Sequence, residues 1–129
     1  MLLGIFLHTI GGITMKKISE TDFGKCPYVT TQKIIQGKWA IIILHFLEEK
    51  TLRFNELKKL IPDITHSTLT SQLRYLEDDG LIQRTIYPEV TPRVEYSLTD
   101  IGKSFKPVLD AINVWGNEYI NFLISMYSI

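Results

Sequence analysis

The sequence predicts a mainly α-helical fold carrying one small β-hairpin, an α+β class, and three observations lead there. Across residues 26–79 apolar side chains recur three and four positions apart, the period of helix faces turned toward a core. Residues 81–87 and 93–98 are instead rich in Ile, Tyr, Thr and Val with partial alternation, which reads as two strands. From Ile101 to Met126 the apolar positions step by 4, 3, 4, 3, 4, 3 and 4, a heptad seam. A chain of 129 residues with 45% hydrophobic content is sized for one core. Three segments are expected: an N-terminal extension or arm over 1–24, a helix-turn-helix unit with its hairpin over 25–98, and a C-terminal helix over 99–129.

Residues 1–14 are apolar but shorter than the roughly 18 residues of a membrane-spanning helix. Lys16 and Lys17 follow this stretch, whereas a signal peptide carries its positive charge first. An upstream extension or an arm, mobile or packed, is expected, with a short membrane-contacting anchor as the alternative. Met15 looks like an ordinary cytosolic start, and residues 16–25 read as a polar, aperiodic linker.

Cys26-Pro27 then opens a helix, proline being suited to a first turn, and Val29, Ile34 and Ile35 line it until Gly37. Within KWAIIILHFLEE, Trp39, Ile42, Ile43, Phe46 and Leu47 follow one helical face, and Ile41 and Leu44 widen it. That helix is expected to be buried on most sides, at the centre of the domain. Residues 51–54 suit a short extended piece, after which Phe54, Leu57, Leu60 and Ile61 make an amphipathic helix ended by Pro62. A turn of about three residues leads to the next helix, over 65–79, which completes a helix-turn-helix. There Leu69, Leu73 and Leu76 share one side, while Ser67, Ser71 and Arg74 point away, with Thr70 and Tyr75 on the flanks. Thr65 is a suitable N-cap, and Gly80 stands where a left-handed stop belongs. A free face of short hydroxyls and one arginine, with no acid before Glu77, suits insertion into a DNA groove.

Residues 88–92, PEVTP, are too proline-rich for a strand and make a loop, so the hairpin after the helix-turn-helix is a wing. Thr99 is expected to cap a last helix that begins DIGKSF and runs past Pro107 with a kink. Leu109, Leu123 and Ile124 broaden its seam beyond what a small domain covers alone, which implies a partner helix.

Charge and composition narrow the function. Fourteen basic residues balance fourteen acidic ones, so bulk charge does not hold nucleic acid and a local basic surface must. One cysteine, Cys26, excludes an intrachain disulfide and a cysteine-cluster zinc site, and fits a reduced, cytoplasmic setting. No acid–base pair, nucleophile with a base, phosphate loop or metal-spaced histidine set is present, so neither an enzyme nor a cofactor is expected.

The order of helices, hairpin and long helix resembles the HxlR type, a branch of the MarR-like winged helix-turn-helix transcriptional regulators. The matching residues are Cys26-Pro27, Gly37-Lys38-Trp39, the run 53–57 (RFNEL), Leu69-Thr70, and residues 73–82 (LRYLEDDGLI). Most distinctive is the run 87–99, YPEVTPRVEYSLT, followed by Gly102; the resemblance covers about residues 25–118. It implies a homodimeric regulator, repressor or activator, whose recognition helices enter successive major grooves of double-stranded DNA, joined through N- and C-terminal helices. Members often carry Lys or Arg where this chain has Ser67, which implies a different operator preference.

The DNA-facing candidates are Thr65, His66, Ser67, Thr70, Ser71 and Arg74, with Arg84 and Arg93 on the wing and Lys38 and Arg53 as lesser phosphate contacts. Each has an ordinary counterpart: a solvated helix face, a solvated His66, and for Arg93 a hairpin ion pair with Glu89 or Glu95. Asp78 and Asp79 repel phosphate and should stay clear of the groove. Cys26 lies at a helix N-cap beside Lys25, a setting that favours a thiolate, and the resemblance implies a sensor of oxidants or electrophiles there. The alternative is a small buried hydrophobe. Phe105, Val108, Ile112, Trp115, Tyr119, Phe122 and Met126 are the dimerisation candidates; a ligand pocket among these aromatics is the less economical reading. A small-molecule or redox effector is compatible with all of this. From a different class, a winged helix serving as a protein–protein adaptor suits the neutral charge.

Overall fold

The computed structural model describes residues 7–10 and 13–128, and the chain divides into two units, Met1–Gln36 and Gly37–Ile129. In the first unit, strand β1 (Leu7–Ile10) pairs antiparallel with β2 (Ile13–Lys16), Leu7 opposite Lys16 and Ile10 opposite Ile13. Beyond this backbone pairing, the expected role of residues 1–14 as an arm or anchor lies outside the described residues. The stretch expected to be an aperiodic linker is locally organised. Ser19 and Asp22 form a reciprocal cap around a single 3₁₀ turn, Glu20–Asp22, with the Ser19 N–H donating to the Asp22 carboxylate at 2.9 Å. Helix α1 (Pro27–Ile34) follows with proline in its first turn and Cys26 as N-cap.

Helix α2 (Ala40–Glu49) begins the second unit and packs against the sheet and the last helix. Its core face is Ala40, Ile43, Leu44 and Leu47, whereas Ile42 is 37% exposed and Phe46 only half-buried. The expected stripe was thus rotated. A helix that is apolar on nearly every side carries no phase of its own, so the surfaces it packs on select the buried face.

Strand β3 (Leu52–Arg53) and helix α3 (Phe54–Leu60) come next, with Leu57 and Ile61 buried and Leu60 left exposed. Helix α4 (His66–Asp78) precedes strands β4 (Ile82–Tyr87) and β5 (Arg93–Leu98). The three strands form one antiparallel sheet ordered β3-β5-β4, with Ile82 opposite Leu98 and Tyr87 opposite Arg93. The core consists of Ile43 and Leu44 from α2, Leu57 from α3, Leu69, Leu73 and Leu76 from α4, and Ile64 and Ile82 beside them.

The C-terminal helix departs from its expected form. Two helices, α5 (Asp100–Lys103) and α6 (Lys106–Tyr127), replace one kinked helix. Pro107 lies in the first turn of α6, where its missing N–H is one of the donors a helix leaves unpaired anyway, so it starts a helix rather than bending one. Ile101 consequently leaves the seam and sits on the separate α5. Lys106 joins α6 to α2 by a hydrogen bond to Glu48 and also bonds Asp110 one turn on in its own helix, each at 3.2 Å. Among the described residues no helix is long and apolar enough to cross a membrane.

Candidate nucleic-acid interface

Both ends of α4 are closed by local chemistry. The Thr65 hydroxyl accepts the Thr68 N–H at 3.1 Å and donates to the Thr68 hydroxyl at 2.8 Å. At the far end Gly80, at φ 83°, donates to the Glu77 carbonyl, and the Leu81 N–H reaches back to the Leu76 carbonyl at 2.9 Å. These are the two bonds of a Schellman stop, and Leu76 and Leu81 supply its apolar contact, both being buried. With Leu69, Leu73 and Leu76 in the core, α4 is pinned along one side.

The opposite side is open. Ser67, Ser71 and Arg74 are exposed, and Arg74 has no ion-pair partner among the described residues. Thr70 is half-buried and donates its hydroxyl to the His66 carbonyl at 2.9 Å. His66 is exposed, but its ring leans on Phe54 with centroids 4.6 Å apart, so it is a seated side chain rather than a freely solvated one. Asp78 and Asp79 lie exposed at the C-terminal end, away from Thr65 and Ser67.

Gly37 makes a contact that the sequence pattern does not announce. It adopts φ 99°, and a Cβ there would lie 2.7 Å from the Gln72 side-chain nitrogen, so the loop before α2 runs against the flank of α4. Lys38 follows in that loop with its ammonium 5.0 Å from the centre of the Trp39 ring.

The basic residues of the sheet are engaged. Arg84 Nε lies 3.6 Å from a Glu77 carboxylate oxygen, tying the wing to α4. Arg93 stacks on the Tyr87 ring at 4.1 Å and lies 3.6 Å from Glu89 and 3.7 Å from Glu95. The hairpin pairing weighed for Arg93 is therefore present with both acids. Its buried Nε makes no hydrogen bond, so the stack and these charges hold it. Arg53 reaches Glu95 at 3.9 Å. The more exposed of these pairs, Arg53–Glu95 and Arg84–Glu77, are worth at most about 1 kcal/mol. Tyr96 joins this patch. It stands opposite Arg84 in the strand register; burial raises its pKa, Arg84 and Arg74 pull it down and Glu77 pushes it up.

Cys26 is 8% exposed, and its side chain makes no capping bond. Its carbonyl accepts both the Thr30 N–H and the Thr30 hydroxyl, the latter at 2.7 Å, and its N–H donates to the Asp22 carbonyl. On α6, Val108, Trp115, Tyr119, Phe122 and Met126 are exposed, with Phe105 and Ile112 half-buried. Trp115 and Tyr119 stack at 5.3 Å and Tyr119 meets Phe122 at 5.5 Å, a continuous aromatic ladder along the seam.

Comparison with known proteins agrees with this arrangement. The family model described as HxlR-like helix-turn-helix matches residues 34–123. YdeP of Bacillus subtilis, an uncharacterized HTH-type transcriptional regulator, is 50% identical over 101 residues, covering 78% of this chain and 79% of that protein. A second such regulator, from Methanothermobacter thermautotrophicus, is 47% identical over 105 residues, covering 78% of this chain and 80% of the relative. Among solved structures, the redox regulator HypR in its reduced form superposes with a TM-score of 0.74 at 39% identity, covering 78% of this chain and 99% of that one. With α4 open on one side, a wing tied to its end and a long C-terminal helix behind, the chain belongs to the HxlR-like helix-turn-helix family and is a winged-helix transcriptional regulator of that type.

Proposed function

We propose that the protein acts as a homodimeric repressor, binding a pseudo-palindromic operator in double-stranded DNA through α4 of each subunit. The observation that carries this is the exposed row of Ser67, Ser71 and Arg74 on a helix whose other side is locked into the core. Thr65, His66 and Thr70 flank the row. Arg74 reads guanine or grips phosphate. Arg84, Arg93, Lys38 and Arg53 supply sequence-blind attraction, the three arginines exchanging their internal carboxylates for phosphates. Where such an operator overlaps a promoter, the bound dimer keeps the transcription machinery off, which is the sense in which repression is proposed.

Arg74→Ala is expected to weaken operator binding by about 1–3 kcal/mol with the fold unchanged. Gel shift, with circular dichroism as the control, measures it; full binding by a folded variant rejects the groove assignment. The zero net charge favours a second reading, an adaptor that binds protein instead of DNA. Affinity for non-specific DNA that does not fall with added salt would support the adaptor, because phosphate contacts release counterions.

Similarity to a redox regulator, together with a lone cysteine at a helix N-cap, supports a response to oxidants or electrophiles through Cys26. The burial of Cys26 requires local opening for reagents to reach it. With one cysteine per chain, the products are an alkylated thiol, a mixed disulfide with a small thiol, or a Cys26–Cys26 bridge between subunits. Diamide, which takes two hydrogens from a thiol pair as a disulfide forms, is expected to produce a species on non-reducing gels that Cys26→Ser does not form, and to change operator affinity in the wild type. Unchanged DNA binding after complete thiol modification rejects the sensor role.

A further inference from the structure

Polar groups that take no part in the DNA-facing surface gather in a groove of about 540 Å³ between the end of α2, the base of the wing and the α5–α6 turn. That is within the roughly 300–1,000 Å³ typical of small-molecule sites. Its floor is apolar, made by the buried Leu47, Leu98 and Leu109, with the bare backbone of Gly102 beside them. The lining also holds three lysines, Lys50, Lys103 and Lys106, against one acidic residue, Glu48. Lys106 is already committed: hydrogen bonds to Glu48 and then Asp110 raise its pKa. Lys50 and Lys103 have no carboxylate partner among the described residues.

The groove wall adds donors. The Gln83 amide donates to the Ser97 hydroxyl at 3.2 Å, which leaves the second amide hydrogen and the Ser97 hydroxyl hydrogen available. Cations and donors above an apolar floor discriminate three ways. They reject cations, they leave a bare inorganic anion without contact to the floor, and they leave a neutral amphiphile without its ionic bonds.

From this arrangement we infer that the groove binds a small organic anion, a carboxylate head on a hydrocarbon body, with Lys50 and Lys103 gripping the head. Gly102 also abuts the carbonyl of Leu81, the residue whose N–H closes α4, so an occupant lies near the support of that helix. Control of DNA binding through the groove rests on the operator-binding reading; the binding itself does not.

The test uses the full chain without DNA, isotope-labelled and titrated with sodium hexanoate at constant ionic strength. Saturable shifts are expected at the amides of Ser97, Gly102 and Lys103. The variant Lys50→Gln/Lys103→Gln alters two exposed side chains, keeps the fold by circular dichroism, and should bind at least about fivefold more weakly. Hexanamide, the same body without charge, should bind about tenfold more weakly or worse, and inorganic phosphate should give no saturable shift. The inference is overturned by hexanoate shifts that do not saturate, by binding that the double variant leaves unaltered, or by phosphate matching hexanoate.

Discussion

Gly102→Ala is expected to cost about 3 kcal/mol and to lower the thermal midpoint by roughly 10–20 °C. A Cβ on Gly102 would clash with the Leu81 carbonyl oxygen, and would also press on the Leu81 carbonyl carbon at 3.0 Å. That oxygen cannot simply move aside, because it accepts the Thr99 N–H at 3.1 Å, and Leu81 itself closes the Schellman stop of α4. Thr99 holds the same junction from the other side, donating its hydroxyl to the Gly80 carbonyl and accepting the Gly102 N–H. Relaxation would therefore break bonds that seat the recognition helix, the wing strand and α5 together. Ile101→Ala is the control: the neighbouring side chain is 60% exposed, and its loss should change stability by no more than about 0.5 kcal/mol. Thermal melts followed by circular dichroism measure both. An unshifted midpoint for Gly102→Ala would mean that the contact between α5 and Leu81 is looser than the structure has it.

The second large effect concerns association. Trp115→Ala is expected to weaken the proposed dimer by about 2–4 kcal/mol, roughly 30-fold to 1,000-fold in its dissociation constant. Trp115 is 63% exposed in the single chain, so little of its area serves the subunit's own core, and removal should leave the monomer fold intact. The same ring stacks on Tyr119, which continues to Phe122, so a partner helix meets a pre-ordered apolar strip rather than one flexible side chain. Equilibrium sedimentation over a dilution series reads the effect. A variant that stays dimeric at the same concentrations as the parent would remove α6 from the interface.

Much of the fold and part of the candidate site are legible in the sequence. On α4, Leu69, Leu73 and Leu76 face the core, Thr65 caps, Gly80 stops, and Ser67, Ser71 and Arg74 remain outside, as their spacing required. The hairpin was equally plain, since β-favouring runs on either side of PEVTP admit one compact pairing. In α2 the core face differs from the one the spacing predicts: Ile42 and Phe46 are as apolar as Leu44, so composition holds no contrast from which to read a phase. The kink expected at Pro107 became a break, because a proline inside an apolar seam reads alike whether it bends a helix or begins one.

For the site, residue types along one helix identified the outward row, but not the state of each basic group. Arg84, Arg93 and Arg53 proved to be held by Glu77, Glu89 and Glu95, while Arg74 stands without an ion-pair partner among the described residues. Gln72 against Gly37 and Gly102 against Leu81 gave no sequence signal beyond the glycines themselves. Caps, stops, amphipathic spacing and turn residues act over a few positions, and the chain states them directly. Which arginine stays free, which face of an all-apolar helix is buried, and where a missing Cβ lets two backbones touch all depend on residues far apart in the chain. Those relations exist only once packing has brought the elements together.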